Sequence, residues 1–206
     1  MNILVDEIPD KVEVNGIEYE INTNFRTSIL FEMMMQDNEL DDDLKVGLTL
    51  EQYFSSNNEA IENLINNKNE AIEKILWFYR CGKDIKKFNG GNGQSVKIYD
   101  YDCDDEYIYS AFLDQYGVDL QEIEYLHWWK FKAMFNSLKE DNQIIKIMGY
   151  RGIDLSKIKD KEQKAQYKKM QKLYEIPKGK SEIDKNADIN KALMSGNLDE
   201  INKLVN

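Results

Sequence analysis

Residues 12–21 read VEVNGIEYEI, and this stretch fixes the frame into which the rest of the chain must fit. Val12, Val14, Ile17, Tyr19 and Ile21 alternate with polar neighbours on either side of Asn15-Gly16. A period of two is the mark of a strand with one buried face. Asn-Gly supplies the two positive-φ positions of a tight hairpin turn. Immediately afterwards the apolar period lengthens. Thr23 is placed to cap a helix that runs through Phe25, Ile29, Leu30 and Met33 to about Gln36. The reading is a mainly α fold, an N-terminal β-hairpin followed by a multi-helix bundle.

Beyond that helix come an acidic stretch at Asp37–Asp43 and a short helix at Leu48–Phe54. Ile61, Leu64, Ile65, Ala71, Ile72, Ile75, Leu76 and Tyr79 then recur at three- and four-residue steps, which predicts one long amphipathic helix. Lys68 interrupts the stripe, so a coiled coil is disfavoured, and Gly82 stands at the C′ position. The run KDIKKFNGGNGQS at 83–95 reads as a flexible loop dividing a unit at 1–82 from a helical region at 96–177. After a short strand or extended piece at Val96–Tyr101, Asp102 or Asp104 caps a helix ending at Tyr116-Gly117. Asp119 with Glu122 forms a capping box for a helix reaching Leu138. Asp141 opens a short helix ending at Met148-Gly149, and Ser156 or Asp160 opens one that stops before Pro177. Residues 178–206 form a polar tail with weak helical pieces at Ile189–Met194 and Leu198–Val205. ALMSGNLDEINKLV echoes a single ankyrin-type helix pair, and one copy cannot bury its own face.

The 206 residues are 42% hydrophobic and 32% charged, with a net charge of −11, which excludes a disordered chain and disfavours a general nucleic-acid binder. No run of about 18 apolar residues offers a membrane span. The start MNILVDEIPD has neither the basic nor the apolar region of a signal peptide. Cys81 and Cys103 stand apart and read as reduced thiols, and together these features predict a soluble intracellular protein.

Each catalytic pattern fails on inspection. Asp100-x-Asp102-x-Asp104 opens like a calcium loop, but Asp105 stands where a glycine is needed and Ala111 where a bidentate Glu is needed. Capping and negative charge at a helix start explain Asp100, Asp102, Asp104, Asp105 and Glu106 more simply. Gly90-Gly91-Asn92-Gly93 lacks the Lys-Ser or Lys-Thr of a phosphate loop. His127, the only histidine, falls inside the apolar arc of Ile123, Leu126, Phe131, Met134 and Leu138, as a core histidine satisfied by one hydrogen bond would. No catalytic residue, metal ligand or cofactor site is assigned.

Binding residues are the remaining candidates. Trp128 and Trp129 lie about a quarter-turn apart on a helix apolar almost all round, so they either sit at the centre of the core or anchor a partner. Met33-Met34-Met35 places three pliable thioethers in one turn, at least one of them near the surface. The charge is also uneven. Residues 146–180 hold eleven basic residues against four acidic, about +7, beside about −18 for the remainder. Tyr150, Arg151, Lys168 and Lys169 are candidate contacts there, for an acidic protein or, less favourably, for nucleic acid.

YDYDCDDEYIYSAFLDQYGVDL from Tyr99, LHWWKFKAMFNSL, and IMGYRGIDLSKIKDKEQKAQYKKMQKLYEIP ending at Pro177 have a familiar aspect together. With the hairpin and the TNFR tetrapeptide at Thr23–Arg26, they resemble the bacteriophage gene-product-fifteen family of tailed phages and prophages of Gram-positive bacteria. The resemblance covers about residues 1–177; 37–58 and 83–95 match as variable loops would, and the tail has no counterpart. It implies a tail-module protein encoded between the major tail protein and the tape measure, and so a tail-assembly chaperone in the host bacterial cytoplasm. The tape-measure protein and the major tail protein would be its partners, with a homo-oligomer also open. It transfers no catalytic residue. Two alternatives stand beside this expectation: a structural virion subunit of the tail or connector, and a nucleic-acid-binding regulator acting through 146–180.

Overall fold

The computed structural model describes residues 2–54, 58–83 and 96–177. Strands β1 (Lys11–Val14) and β2 (Ile17–Glu20) pair antiparallel with Val12 opposite Tyr19 and Val14 opposite Ile17. Asn15 (φ 52°) and Gly16 (φ 73°) make the expected two-residue turn. Val12, Val14 and Tyr19 face the core, while Ile17 sits half exposed at its rim. The other described elements are helical: α1 (Phe25–Gln36), α2 (Asp42–Tyr53), α3 (Asn58–Asn66), α4 (Lys68–Tyr79), α5 (Asp105–Tyr116), α6 (Trp128–Asn136), α7 (Gln143–Gly152) and α8 (Lys161–Leu173), with a short 3-10 turn at Leu155–Lys157. The chain is mainly α with an N-terminal hairpin, as the change of period predicts.

Several boundaries differ from expectation, each because a polar side chain is used elsewhere. Asn24, not Thr23, caps α1, its Oδ1 accepting the Arg26 N–H at 3.0 Å. Helix α2 starts inside the acidic stretch because Asp41 caps it. The single long helix over 61–79 is two helices. Asn67 leaves helical geometry (φ −114°, ψ 31°), and its side-chain amide donates back to the Asn63 carbonyl at 2.9 Å. Both halves face inward, with Leu64, Ala71, Ile75 and Phe78 all buried. At the end of α4 both Cys81 (φ 56°) and Gly82 (φ 67°) are left-handed; with Arg80 as the C-cap, Cys81 holds the C′ position predicted for Gly82, which stands one place later. The Gly82 N–H bonds the Trp77 carbonyl at 3.0 Å and the Cys81 N–H bonds that of Phe78 at 2.9 Å, a Schellman closure.

The largest departure is at Asp119. Its carboxylate accepts the N–H groups of Gln121 and Glu122 as predicted, and the Tyr109 hydroxyl at 2.9 Å as well, but no helix follows. The Arg26 guanidinium draws the carbonyls of Leu120 (2.6 Å) and Ile123 (2.9 Å) to itself, and those are the acceptors a helix would need. Helix α6 therefore begins only at Trp128. Asn142 rather than Asp141 stands at the start of α7, which runs past Gly149 to Gly152. The short strand offered as one reading of Val96–Tyr101 does not form: Val96–Asp100 is an extended segment without a strand partner, and Tyr101 is already in a turn. The loop expected at 83–95, apart from Lys83, and the tail at 178–206 lie outside the described residues.

Residues on both sides of the proposed division share one core. Phe131 of α6 is stacked between Phe25 of α1 (5.0 Å) and Phe112 of α5 (4.9 Å), so the regions 1–82 and 96–177 meet ring to ring.

Candidate partner-binding groove

Trp128 and Trp129, read as possible partner anchors, are core residues at 0% and 3% exposure. Each indole N–H finds a carbonyl at the end of α4: Trp128 donates to Tyr79 at 2.8 Å and Trp129 to Phe78 at 2.7 Å. Trp128 also stacks on Tyr79, and Trp129 meets Trp77 edge on. The quarter-turn between them is filled by Trp77, Phe78 and Tyr79 at the end of α4, which the periodicity of α6 alone could not reveal. Gly82 belongs to this packing: a Cβ there would stand 3.0 Å from the Trp129 ring.

His127 lies outside the helix and caps it. Its Nδ1 accepts the Trp129 N–H at 3.0 Å, so Nε2 carries the proton donated to the Pro9 carbonyl at 3.1 Å. It makes two hydrogen bonds rather than the one expected, and both ring nitrogens are committed. Burial holds its pKa below the ordinary imidazole value. The neighbouring TNFR tetrapeptide is a clasp on the same segment. The Thr23 carbonyl accepts the Trp128 N–H (2.8 Å), the Phe25 N–H donates to Leu126 (2.9 Å), and Arg26 holds the preceding loop. Lys132 on α6 is shielded too, its ammonium facing the rings of Trp128 (5.2 Å), Tyr99 (5.4 Å) and Phe135 (5.6 Å), and burial lowers its pKa.

The carboxylate cluster builds a turn. Asp100 accepts the N–H groups of Asp102 (2.8 Å) and Cys103 (3.0 Å), and its other oxygen meets Lys97. Burial pushes this carboxyl up, yet Lys97 and the two N–H groups hold it below the usual carboxylate range. Asp104 and Arg151 form a buried bidentate ion pair, 2.5 and 3.0 Å, with side chains 1% and 8% exposed. Arg151 also donates to the carbonyls of Ile98 (3.1 Å) and Tyr174 (2.6 Å), so one guanidinium ties α7 to α5, to the extended segment and to the end of α8. Tyr150 is half-buried and stacks on Tyr174 at 6.0 Å. These two candidates hold α8 in place, and the tyrosine is not a free contact.

Two confluent hollows, about 1160 and about 740 Å³, open where α1, the extended segment, α7 and the end of α8 converge. They share Gln36, Asn38, Lys97, Ile176 and Pro177. Met33 and Met34 line the smaller, and Arg151 and Lys168 line the larger, so the structure gathers four of the sequence candidates into one groove. Met35 is 46% exposed but lies outside the lining, as does exposed Lys169. Val96, Lys97, Ile153, Leu155, Lys172 and Ile176 were missed. Ile153 and Leu155 fall in GYR-x-IDL, whose apolar positions were available in the sequence but have no helical period.

The α8 side of the groove is basic. No residue of α8 is buried, and Lys161, Lys164, Lys168 and Lys172 fall on one face at three- and four-residue spacing. None of these four makes an ion pair among the described residues.

A protein-family model described as Bacteriophage Gp15 protein matches residues 4–176. The chain belongs to that family. The match spans the described fold from before the hairpin to the last residues of the groove, and it makes the chain a bacteriophage protein with a structural or assembly role. No curated protein and no solved structure matches the chain. Among the described residues no helix is long and apolar enough to cross a membrane.

Proposed function

We propose that this chain is a non-enzymatic phage tail-assembly chaperone that binds the tape-measure protein and tail-tube subunits during tail morphogenesis in the host cytoplasm. The groove is the observation that supports the reading. Its floor includes Met33, Met34, Ile153 and Ile176, apolar side chains kept partly open to solvent by an otherwise well-packed molecule. Thioethers adapt to apolar partners of varied shape, and a helix laid in such a groove would bury its apolar face there instead of aggregating. The acidic exterior favours solubility of the complex.

Co-expression with the tape-measure protein of the same phage tests this. The expected outcome is a soluble complex that elutes together, weakened by Met33→Asp with Ile153→Asp. Equal solubility of the tape-measure protein with and without this chain, and no co-elution, overturns the reading. An assembly chaperone is also absent from purified particles, whereas recovery of the chain in virions at a fixed stoichiometry establishes the structural alternative.

A further inference from the structure

The two ends of the groove carry opposite charge. Lys168 and Lys172 rim the α8 end, both exposed and without an ion pair among the described residues. Of the two carboxylates in the same lining, Asp154 is paired with Lys157 at 3.6 Å and Glu175 offsets one lysine, so that end keeps a smaller positive excess. Asp37, Glu39 and Asp102 rim the other end, all exposed. Lys97 lies between them, already engaged with Asp100 and Gln36, so it does not cancel the gradient. The extended segment on the wall is poorly suited to adding a strand, because the Ile98 carbonyl is held by Arg151 and the Asp100 N–H by the Asp104 carboxylate at 2.9 Å. Side chains, not backbone edges, are what the groove offers.

We propose that the groove takes an amphipathic helix of a partner protein in one direction only, its acidic carboxyl-terminal end over Lys168 and Lys172 and its basic amino-terminal end over Asp37, Glu39 and Asp102. The helix dipole adds to the preference, since the partial negative charge at a helix C-terminus then faces the lysines and the partial positive charge at its N-terminus faces the carboxylates. The reversed helix sets like charges against each other at both ends. This inference rests on the reading of the groove as a partner site and adds the chemistry and direction of the occupant.

Two fluorescein-labelled peptides of identical composition, acetylated and amidated to remove terminal charge, test it against the full-length chain. Both carry Leu and Met at i, i+3, i+4 and i+7; one has Lys in its first half and Glu in its second, the other the reverse. By fluorescence anisotropy the Lys-first peptide is expected to bind about tenfold or more tightly at low salt, with the difference shrinking as salt rises above 0.15 M, where the screening length falls below about 8 Å. The variant D37K/E39K/K168E/K172E, changed only at exposed positions, is expected to invert the preference. Equal binding of the two peptides, or an unchanged preference in that variant, overturns the proposal.

Two other occupants would show themselves and overturn it as well. A short DNA duplex that displaces the Lys-first peptide and binds more tightly makes the lysines a nucleic-acid surface. Self-association by sedimentation that K168E/K172E abolishes makes the occupant a second copy. A failed chaperone reading looks different, because the tape-measure protein would then go unbound while the peptide preference persisted.

Discussion

Helices α6 and α8 are both short, and both mix aromatic residues with lysines, yet one lies in the core and the other on the surface. Helix α6 has nine residues and buries Trp128, Trp129, Phe131 and Phe135. Helix α8 has thirteen and buries none. A nine-residue segment is too short to hold helical structure alone in water, so α6 owes its conformation to the rings of α1, α4 and α5 that enclose it. Helix α8 is held at its edges instead, by the Asp160 cap (2.7 Å to the Gln163 N–H), the Tyr150–Tyr174 stack and a Gln171 amide bonded to the Ile153 carbonyl at 3.0 Å. Substitutions in α6 are therefore expected to act on stability, and those on the lysine face of α8 on binding.

The most severe way to break the comparison is Trp128→Ala. It empties a fully buried site and orphans the Tyr79 carbonyl, so a loss of about 3–5 kcal/mol is expected in chemical denaturation. A loss under about 1 kcal/mol would mean that α6 is not the keystone of the core. Arg151→Met follows, because it strands the Asp104 carboxylate in the interior and releases the Tyr174 carbonyl. About 3 kcal/mol of destabilisation is expected. Replacing the pair, as Asp104→Asn with Arg151→Met, should recover a good part of it. Accelerated hydrogen exchange in α8 would show that this one side chain couples the two regions.

Legibility in the sequence divides along the same line. The hairpin and the stop at Gly117 (φ 64°) are local devices whose residues lie within a few positions of one another, and both were readable, as was the Asp160 cap as one of two alternatives with Ser156. The loop at 118–127 was not, because its carbonyls are claimed by Arg26, ninety-four residues from Leu120. Nor could the burial of Trp128 and Trp129 be read, since it depends on the end of α4 meeting them from about fifty residues away. The candidate groove was half legible for a related reason. Methionines and lysines announce themselves by chemical type, whereas Ile153, Leu155 and Ile176 join them only when distant segments meet. The Arg151 clamp shows the converse: a charged residue in a basic stretch reads as a contact, and although it lines the groove its guanidinium is committed to a buried tie.

His127 sharpens the comparison on the α6 side through pH. Its pKa is lowered by burial, so below about pH 6.5 the unfolded chain takes up a proton that the folded chain resists. Stability is expected to be complete above that range and to decline as pH falls through it. This is the only histidine, so its ring titration can be followed by NMR without overlap. His127→Asn keeps a capping side chain but cannot reach Pro9. It should cost about 1 kcal/mol at neutral pH and remove the histidine's share of the acid sensitivity. An unchanged pH profile would mean that Nε2 is not confined as the 3.1 Å bond to Pro9 requires.

The smallest expected effect on stability is the most discriminating for α8. Lys164, Lys168 and Lys172 stand four residues apart, so two like-charge pairs repel along an exposed face. Lys168→Glu turns both into opposite-charge pairs, and its new carboxylate lies N-terminal to Lys172, the favourable order. Chemical denaturation should show a gain of up to about 0.5 kcal/mol, at the same time as affinity for an acidic helix end falls. A residue selected for helix stability would not improve the fold when reversed. A gain in stability together with a loss of binding would therefore mark the lysine stripe as kept for a partner, whereas a loss of stability would place α8 with α6, as part of the frame.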